Sequence, residues 1–135
     1  MVQETFKKTS PLVRFLFAFL VALTVFVVGL YIKDTSITTY TGTLPCADCV
    51  GIKTTLILKG NDTYELHSLY VDKGDPFTEK GTWKKEIKNT MEVYALTSQS
   101  HVVSYYKIVD STTLTMLDIN ANPIKSPFAF TLKKE

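Results

Sequence analysis

The only two cysteines of the chain stand three positions apart, in Leu44-Pro45-Cys46-Ala47-Asp48-Cys49-Val50-Gly51-Ile52. This pair is the most specific chemical feature of the sequence. A structural zinc site wants four ligands, whereas the chain offers no second cysteine pair and only His67 and His101 as histidines. A thiol oxidoreductase sets such a pair at a helix N-terminus, where the dipole favours thiolate. No α/β pattern surrounds this one, and Asp48 between the sulfurs opposes thiolate by charge repulsion. Two readings stay open. Cys46 and Cys49 form a disulfide that fixes a loop between two strands, as an oxidising compartment favours, although so small a ring contributes only about 2 kcal/mol of loop-closure entropy. Alternatively, the reduced pair presents two soft thiolates suited to Cu(I).

The remaining polar and sulfur side chains read as structural. His67 falls in phase with Glu65 on the polar side of a strand and is expected to be a solvated imidazole; His101, expected to open a strand, reads the same way. Met91 and Met116 offer soft sulfur, yet thioethers in alternating strands usually fill core gaps. Gly42 and Gly51 bracket the cysteine loop as residues that allow φ > 0 in tight bends, and Pro45 keeps Leu44 extended. No nucleophile elbow, phosphate loop, paired carboxylates or histidine-rich metal motif occurs. No catalytic residue is therefore assigned, and a non-enzymatic protein is expected.

The elements that position the cysteines begin with an apolar helix. Residues 15–32, FLFAFLVALTVFVVGLYI, carry no charge, and at 1.5 Å per residue they cover about 27 Å, nearly a bilayer core. Lys7, Lys8 and Arg14 precede this run while Lys33 and Asp34 balance after it, which places residues 1–14 in the cytoplasm and the rest outside. Tyr31 suits the outer interface. A cleaved signal peptide is the rival reading, but its apolar core is usually shorter, and Val27-Val28-Gly29 is a mediocre cleavage pattern. Both readings export the C-terminal two thirds of the chain. Lys7, Lys8, Arg14 and Lys33 against Glu4 give the first 33 residues +3, so the remainder holds 11 basic and 12 acidic side chains. That neutral remainder argues against nucleic acid as a partner, because phosphate binding needs a clustered basic face.

After a linker over residues 33–38, residues 39–135 form one domain. Short stretches rich in Thr, Val, Tyr, Ile and Phe alternate there with Gly, Asn, Asp and Pro. Strands are expected at Ile37–Leu44, Thr54–Lys59, Thr63–Val71, Phe77–Glu86, Met91–Thr97, Val102–Val109, Thr112–Asp118 and Pro127–Leu132. In the third, Tyr64, Leu66 and Tyr70 alternate with Glu65 and His67. Seven or eight antiparallel strands at spacings near ten residues, without crossover helices, indicate a mainly β unit, a sandwich or a closed barrel, with a meandering barrel the best fit. Trp83, Tyr64, Tyr70, Phe77, Tyr106 and Phe128 are candidates to line an interior that either admits an apolar ligand or is filled by its own side chains.

The stretch Tyr40 to Leu56 (YTGTLPCADCVGIKTTL), with Asp62-Thr63-Tyr64-Glu65-Leu66 and Tyr70 after it, resembles the N-terminal domain of the NlpE envelope lipoproteins, a family associated with copper resistance and envelope stress signalling. Gly81-Thr82-Trp83, Tyr106 and Leu114-Thr115-Met116-Leu117-Asp118 agree with it. The resemblance implies a small lipocalin-like β-barrel in a Gram-negative envelope, with Cys46 and Cys49 as the metal- or redox-responsive element, Cu(I) as the expected metal and an envelope signalling protein as a partner. Two departures stand out. Members are typically lipidated on a cysteine directly after the signal sequence; here the first cysteine is Cys46, whose Thr43-Leu44-Pro45 prefix is no lipid-attachment box. A transmembrane anchor is therefore expected in place of the lipid, which implies the inner membrane with the domain in the periplasm. Longer members add a second, C-terminal β-domain. The alternative function is a lipocalin-like carrier of a small apolar molecule, with the cysteines as a structural disulfide.

Overall fold

A computed structural model describes residues 10–31 and 34–135. The chain divides into two compact units, Met1–Asp34 and Thr35–Glu135. Lys7, Lys8, Lys33 and the side chain of Tyr31, on which the expected orientation and interface contact rest, lie outside the described residues.

In the first unit α1 spans Pro11–Tyr31, four residues earlier than the uncharged run suggests. Its start is set by backbone chemistry. Pro11 occupies the first helical position, where its missing N–H costs nothing, and the Ser10 carbonyl accepts the Val13 N–H at 3.0 Å and the Arg14 N–H at 3.3 Å. Arg14 thus lies within the helix. The Thr24 hydroxyl, an isolated polar group on this element, donates to the Val21 carbonyl at 2.8 Å. Pro11–Gly29 is long and apolar enough to cross a membrane.

The second unit is a closed barrel of eight antiparallel strands in sequence order: β1 (Ile37–Leu44), β2 (Ile52–Lys59), β3 (Thr63–Tyr70), β4 (Phe77–Lys88), β5 (Met91–Ser98), β6 (Val103–Asp110), β7 (Thr113–Met116) and β8 (Thr131–Lys134). Side chains alternate across each strand, so every second residue faces the interior. Tyr40, Leu56, Leu58, Tyr64, Leu96 and Tyr106 join one buried core there with Leu114 and Leu132. The interior is thus occupied through most of its height by the chain's own residues. Trp83 packs edge-on against Tyr94, with ring centroids 5.3 Å apart, and donates Nε1–H to the Lys59 carbonyl at 2.9 Å, tying β4 to the end of β2.

The up-and-down order sorts the connections between two ends. The turns at 60–62, 89–90 and 111–112 share one end with the start of β1. The cysteine loop at 45–51 shares the other with 71–76, 99–102 and 117–130.

Three expectations need correction. Gly42 and Gly51 do not have positive φ; among the described glycines only Gly74 does. Gly42 is required because a Cβ there would lie 2.5 Å from the Thr131 carbonyl oxygen across the β1–β8 seam, and at Gly51 it would lie 2.7 Å from the Thr43 methyl. The last strand is Thr131–Lys134, not Pro127–Leu132. Pro123 and Pro127 supply no N–H to a ladder, and Leu117–Pro123 instead folds onto the outside of β5 and β6, where Leu117 and Ala121 bury Val93 against Met91 and Tyr105. Asn89 holds this flap by donating to the carbonyls of Asn120 and Ala121, each at 3.2 Å, and to Asn122 Oδ1 at 3.1 Å. Finally, the aromatic candidates separate. Tyr64 and Tyr106 are fully buried and Trp83 packs against the core, whereas Phe77 and Phe128 are exposed at the cysteine end and Tyr70 is partly exposed at the rim.

Candidate functional site: a disulfide loop over an apolar pocket

Leu44 and Ile52 form the last rung of the β1–β2 ladder. The loop beyond it carries Cys46 and Cys49, joined in a disulfide with their Cα atoms 5.3 Å apart. Both cysteines are half-buried, while Ala47, Asp48 and Val50 between and beside them are exposed. Cys46 Sγ lies 3.6 Å from Asp48 Oδ1, and Cys49 Sγ lies 3.4 Å from the Gly51 carbonyl oxygen. With both sulfurs bonded to each other these are contacts, not hydrogen bonds; on reduction each sulfur would gain a proton to donate along them.

A second loop braces the first. The Val71 N–H donates to the Gly51 carbonyl at 3.0 Å, and the Lys73 N–H turns back to the Tyr70 carbonyl at 3.1 Å, with Asp72 in the left-handed region at φ 67°. This turn brings the Lys73 ammonium onto the Asp48 carboxylate. An open cleft of about 430 Å³ runs between the loops, lined by Cys49, Val50, Val71 and Lys73 among others.

Beneath the loop the interior is not fully packed. A pocket of about 250 Å³ lies among Leu44, Ile52, Leu66, Tyr106, Met116 and Phe130, with Pro45 and Tyr70 also lining it. Thr54, Ser68, Tyr70 and Tyr106 are the hydroxyl-bearing residues of its lining. The Thr54 hydroxyl already donates to the Ile52 carbonyl at 3.1 Å.

One carboxylate reaches the interior wall: Glu79 accepts the Tyr64 hydroxyl at 2.7 Å. Burial, then this acceptor, hold the Tyr64 hydroxyl well above its ordinary value. Burial and the charge of Glu79 push the Tyr106 hydroxyl up to about 12. Sequence reasoning missed Glu79, although its phase with Gly81 and Trp83 along β4 marks it as inward-facing. It missed Lys73 as well, because that pairing depends on how two loops meet.

The other candidate ligands are not gathered here. His67 is on the outer face of β3, its Nδ1 3.0 Å from Thr78 Oγ1 and its Nε2 3.5 Å from Glu65 Oε2. His101 lies in the turn before β6 at φ 64°, rather than opening the strand. Met91 packs under the outer flap and Met116 against the barrel core. Among the described residues no three His, Cys, Asp or Glu side chains converge as a metal site. A disulfide is not a Cu(I) ligand, so the donor set fits that metal only after two-electron reduction, and then as two thiolates.

The chain has counterparts among known proteins. Residues 40–127 match the family described as the NlpE N-terminal domain. The lipoprotein NlpE of Escherichia coli (strain K12) is 37% identical over 95 residues, which are 68% of this chain and 38% of that protein. A 17 kDa lipoprotein of Treponema pallidum (strain Nichols) is 32% identical over 79 residues, 53% of this chain and 51% of that protein. The chain thus spans between a third and about half of these relatives. The crystal structure of the Cpx pathway activator NlpE from E. coli superimposes with a TM-score of 0.57 at 33% identity, over 69% of this chain and 48% of that one. A Shewanella oneidensis protein described as a lipoprotein matches with the same score and identity over 76% of this chain and 90% of its own.

Proposed function

Because the chain belongs to the NlpE N-terminal domain family, we propose that it is a non-enzymatic envelope stress module, anchored by α1, whose Cys46–Cys49 bond is the responsive element. The location of that bond carries the reading. It sits in a partly exposed loop at one end of the barrel rather than between core strands, and it closes a ring too small to contribute more than about 2 kcal/mol of loop-closure entropy. As a staple it does little. As a switch it is well placed: a dithiol can reach it, deliver two electrons and two protons, and leave as its own disulfide. Reduction then frees a loop whose remaining braces to the next loop include one backbone hydrogen bond, Val71 N–H to Gly51, and the exposed Lys73–Asp48 ion pair, which contributes little.

Cu(I) is the metal that the reduced pair would hold, through the two sulfurs of Cys46 and Cys49. Bound there, it supplies a thiophilic cation that competes with reoxidation. Asp48 and Lys73 set the local charge, and Pro45 and Gly51 fix where the two sulfur-bearing residues leave the sheet. The anchor reading draws on the length and apolarity of Pro11–Gly29. Lipoprotein relatives support an envelope location, and an activator among them supports a signalling partner.

The test compares the full chain, oxidised and dithiothreitol-reduced, with the Cys46→Ser/Cys49→Ser variant. Cu(I) is expected to bind the reduced protein alone, and the variant to lose both that binding and the host's response to envelope copper or reductant. Unchanged Cu(I) affinity in the variant defeats the metal role, and an unchanged host response defeats the sensing role.

A further inference from the structure

We propose that the pocket beneath the cysteine loop takes the end of an unbranched acyl chain, and that its occupancy is thermodynamically linked to the Cys46–Cys49 bond. The linkage rests on the proposed redox role of that bond; the binding does not. Size comes first. The space is about 250 Å³, below the range of sites that engulf a whole small molecule. At roughly 30 Å³ per water-sized group it holds about eight, which is part of a chain rather than a ring system.

Chemistry narrows the guest further. Leucine, isoleucine, methionine and aromatic side chains make the walls, and no charged residue lines them. No charged side chain in the lining would pair with a charged head group. One of the few hydroxyls, that of Thr54, is spent on the Ile52 carbonyl. An extended peptide has no free sheet edge to pair with, because the strands form a closed ring. A hydrocarbon end is the guest that matches these mostly apolar walls and brings no polar group of its own to desolvate.

The linkage follows from shared parts. Leu44 and Ile52 are at once walls of the pocket and the rung from which the disulfide loop hangs. Tyr70, exposed at the mouth, immediately precedes Val71, whose N–H holds Gly51 of that loop. Opening the disulfide loosens this rung, and a seated chain favours the rung closed. Reciprocity then requires that the guest protect the bond to the extent that the bond favours the guest.

The full chain in lipid nanodiscs is titrated calorimetrically with decanoate and, in parallel, with decanoyl lysophosphatidylcholine, with empty nanodiscs as the blank. Saturable binding of decanoate identifies a free acid as a sufficient source; binding of the lysolipid alone identifies a lipid tail. Reduction by dithiothreitol, monitored by maleimide mass-tagging of the freed thiols, is expected to slow at least threefold with the guest bound. Ser68→Phe and Met116→Trp fill the space, and each should weaken binding at least tenfold. Absence of saturable binding in both arms overturns the site, as does unchanged binding in a filled variant that keeps its β circular dichroism. Binding without any effect on reduction overturns the linkage. If Cys46→Ser/Cys49→Ser leaves the stress response intact yet decanoate still binds, the sensing role has failed and the pocket stands.

Discussion

Asp48 touches both the chemistry of the cysteine loop and its bracing. Its carboxylate lies beside Cys46 Sγ and is paired with Lys73, and the two contacts differ in what they contribute. The ion pair is exposed, 76% on the Asp48 side, and pairs of this kind contribute little to stability. The negative charge beside the sulfur acts directly on thiolate formation once the bond is reduced. Asp48→Asn should therefore leave the urea midpoint within about 0.5 kcal/mol of the parent, while raising the alkylation rate of the reduced pair at neutral pH about threefold. Equal rates in the two proteins refute a role for this charge. Type and spacing singled out the cysteine pair but left both a disulfide and a reduced pair open; the structure has the disulfide. Lys73 was not legible, since a contact between residues 48 and 73 exists only after β2 and β3 have folded back on each other.

Gly81 shows why an element can depend on a side chain it lacks. It pairs with Tyr64 on one side and Ser98 on the other, and a Cβ there would lie 2.0 Å from the Thr97 carbonyl oxygen and 2.8 Å from the Tyr64 ring. The first neighbour is backbone and cannot step aside. Gly81→Ala is expected to destabilise the barrel by about 1–3 kcal/mol or more, in the range of overpacked cores, read from the denaturant midpoint; a neutral result removes the steric account. At this scale β1 was legible to the residue, and most other strands to within two, because period-two alternation and turn residues act locally. β8 was misplaced. Its neighbourhood is decided by the flap over β5 and β6, a tertiary contact held by Asn89 from a distant hairpin, and local alternation carries no trace of it.

For the whole molecule, titration sets the pH window of the fold. The Tyr106 hydroxyl, raised from 10 to about 12 by burial and then by Glu79, is held neutral; its contribution is complete below pH 10 and is lost as pH rises toward about 12. Glu65 and Asp110 are displaced the other way, Glu65 chiefly by the Lys59 hydrogen bond and Asp110 by the Thr112 N–H. Their contribution is present above the ordinary carboxylate range and is lost as pH falls through their lowered values. Stability should therefore decline at both extremes, and Tyr106→Phe should lessen the slope of the alkaline limb, to which the raised Tyr40 and Tyr64 also contribute, while leaving the acid limb unchanged; an unaltered alkaline limb in pH-dependent unfolding removes Tyr106 from that account. Seven or eight strands at regular spacing were legible, but the same spacing suits a sandwich. Closure depends on a seam where β1 meets β8 at only two positions, Tyr40 with Lys134 and Thr41 with Lys133. The first strand consequently finds its second neighbour only when the last has been made and delivered. Until then the strands form an open ribbon with two unpaired edges, and closing the seam satisfies both at once.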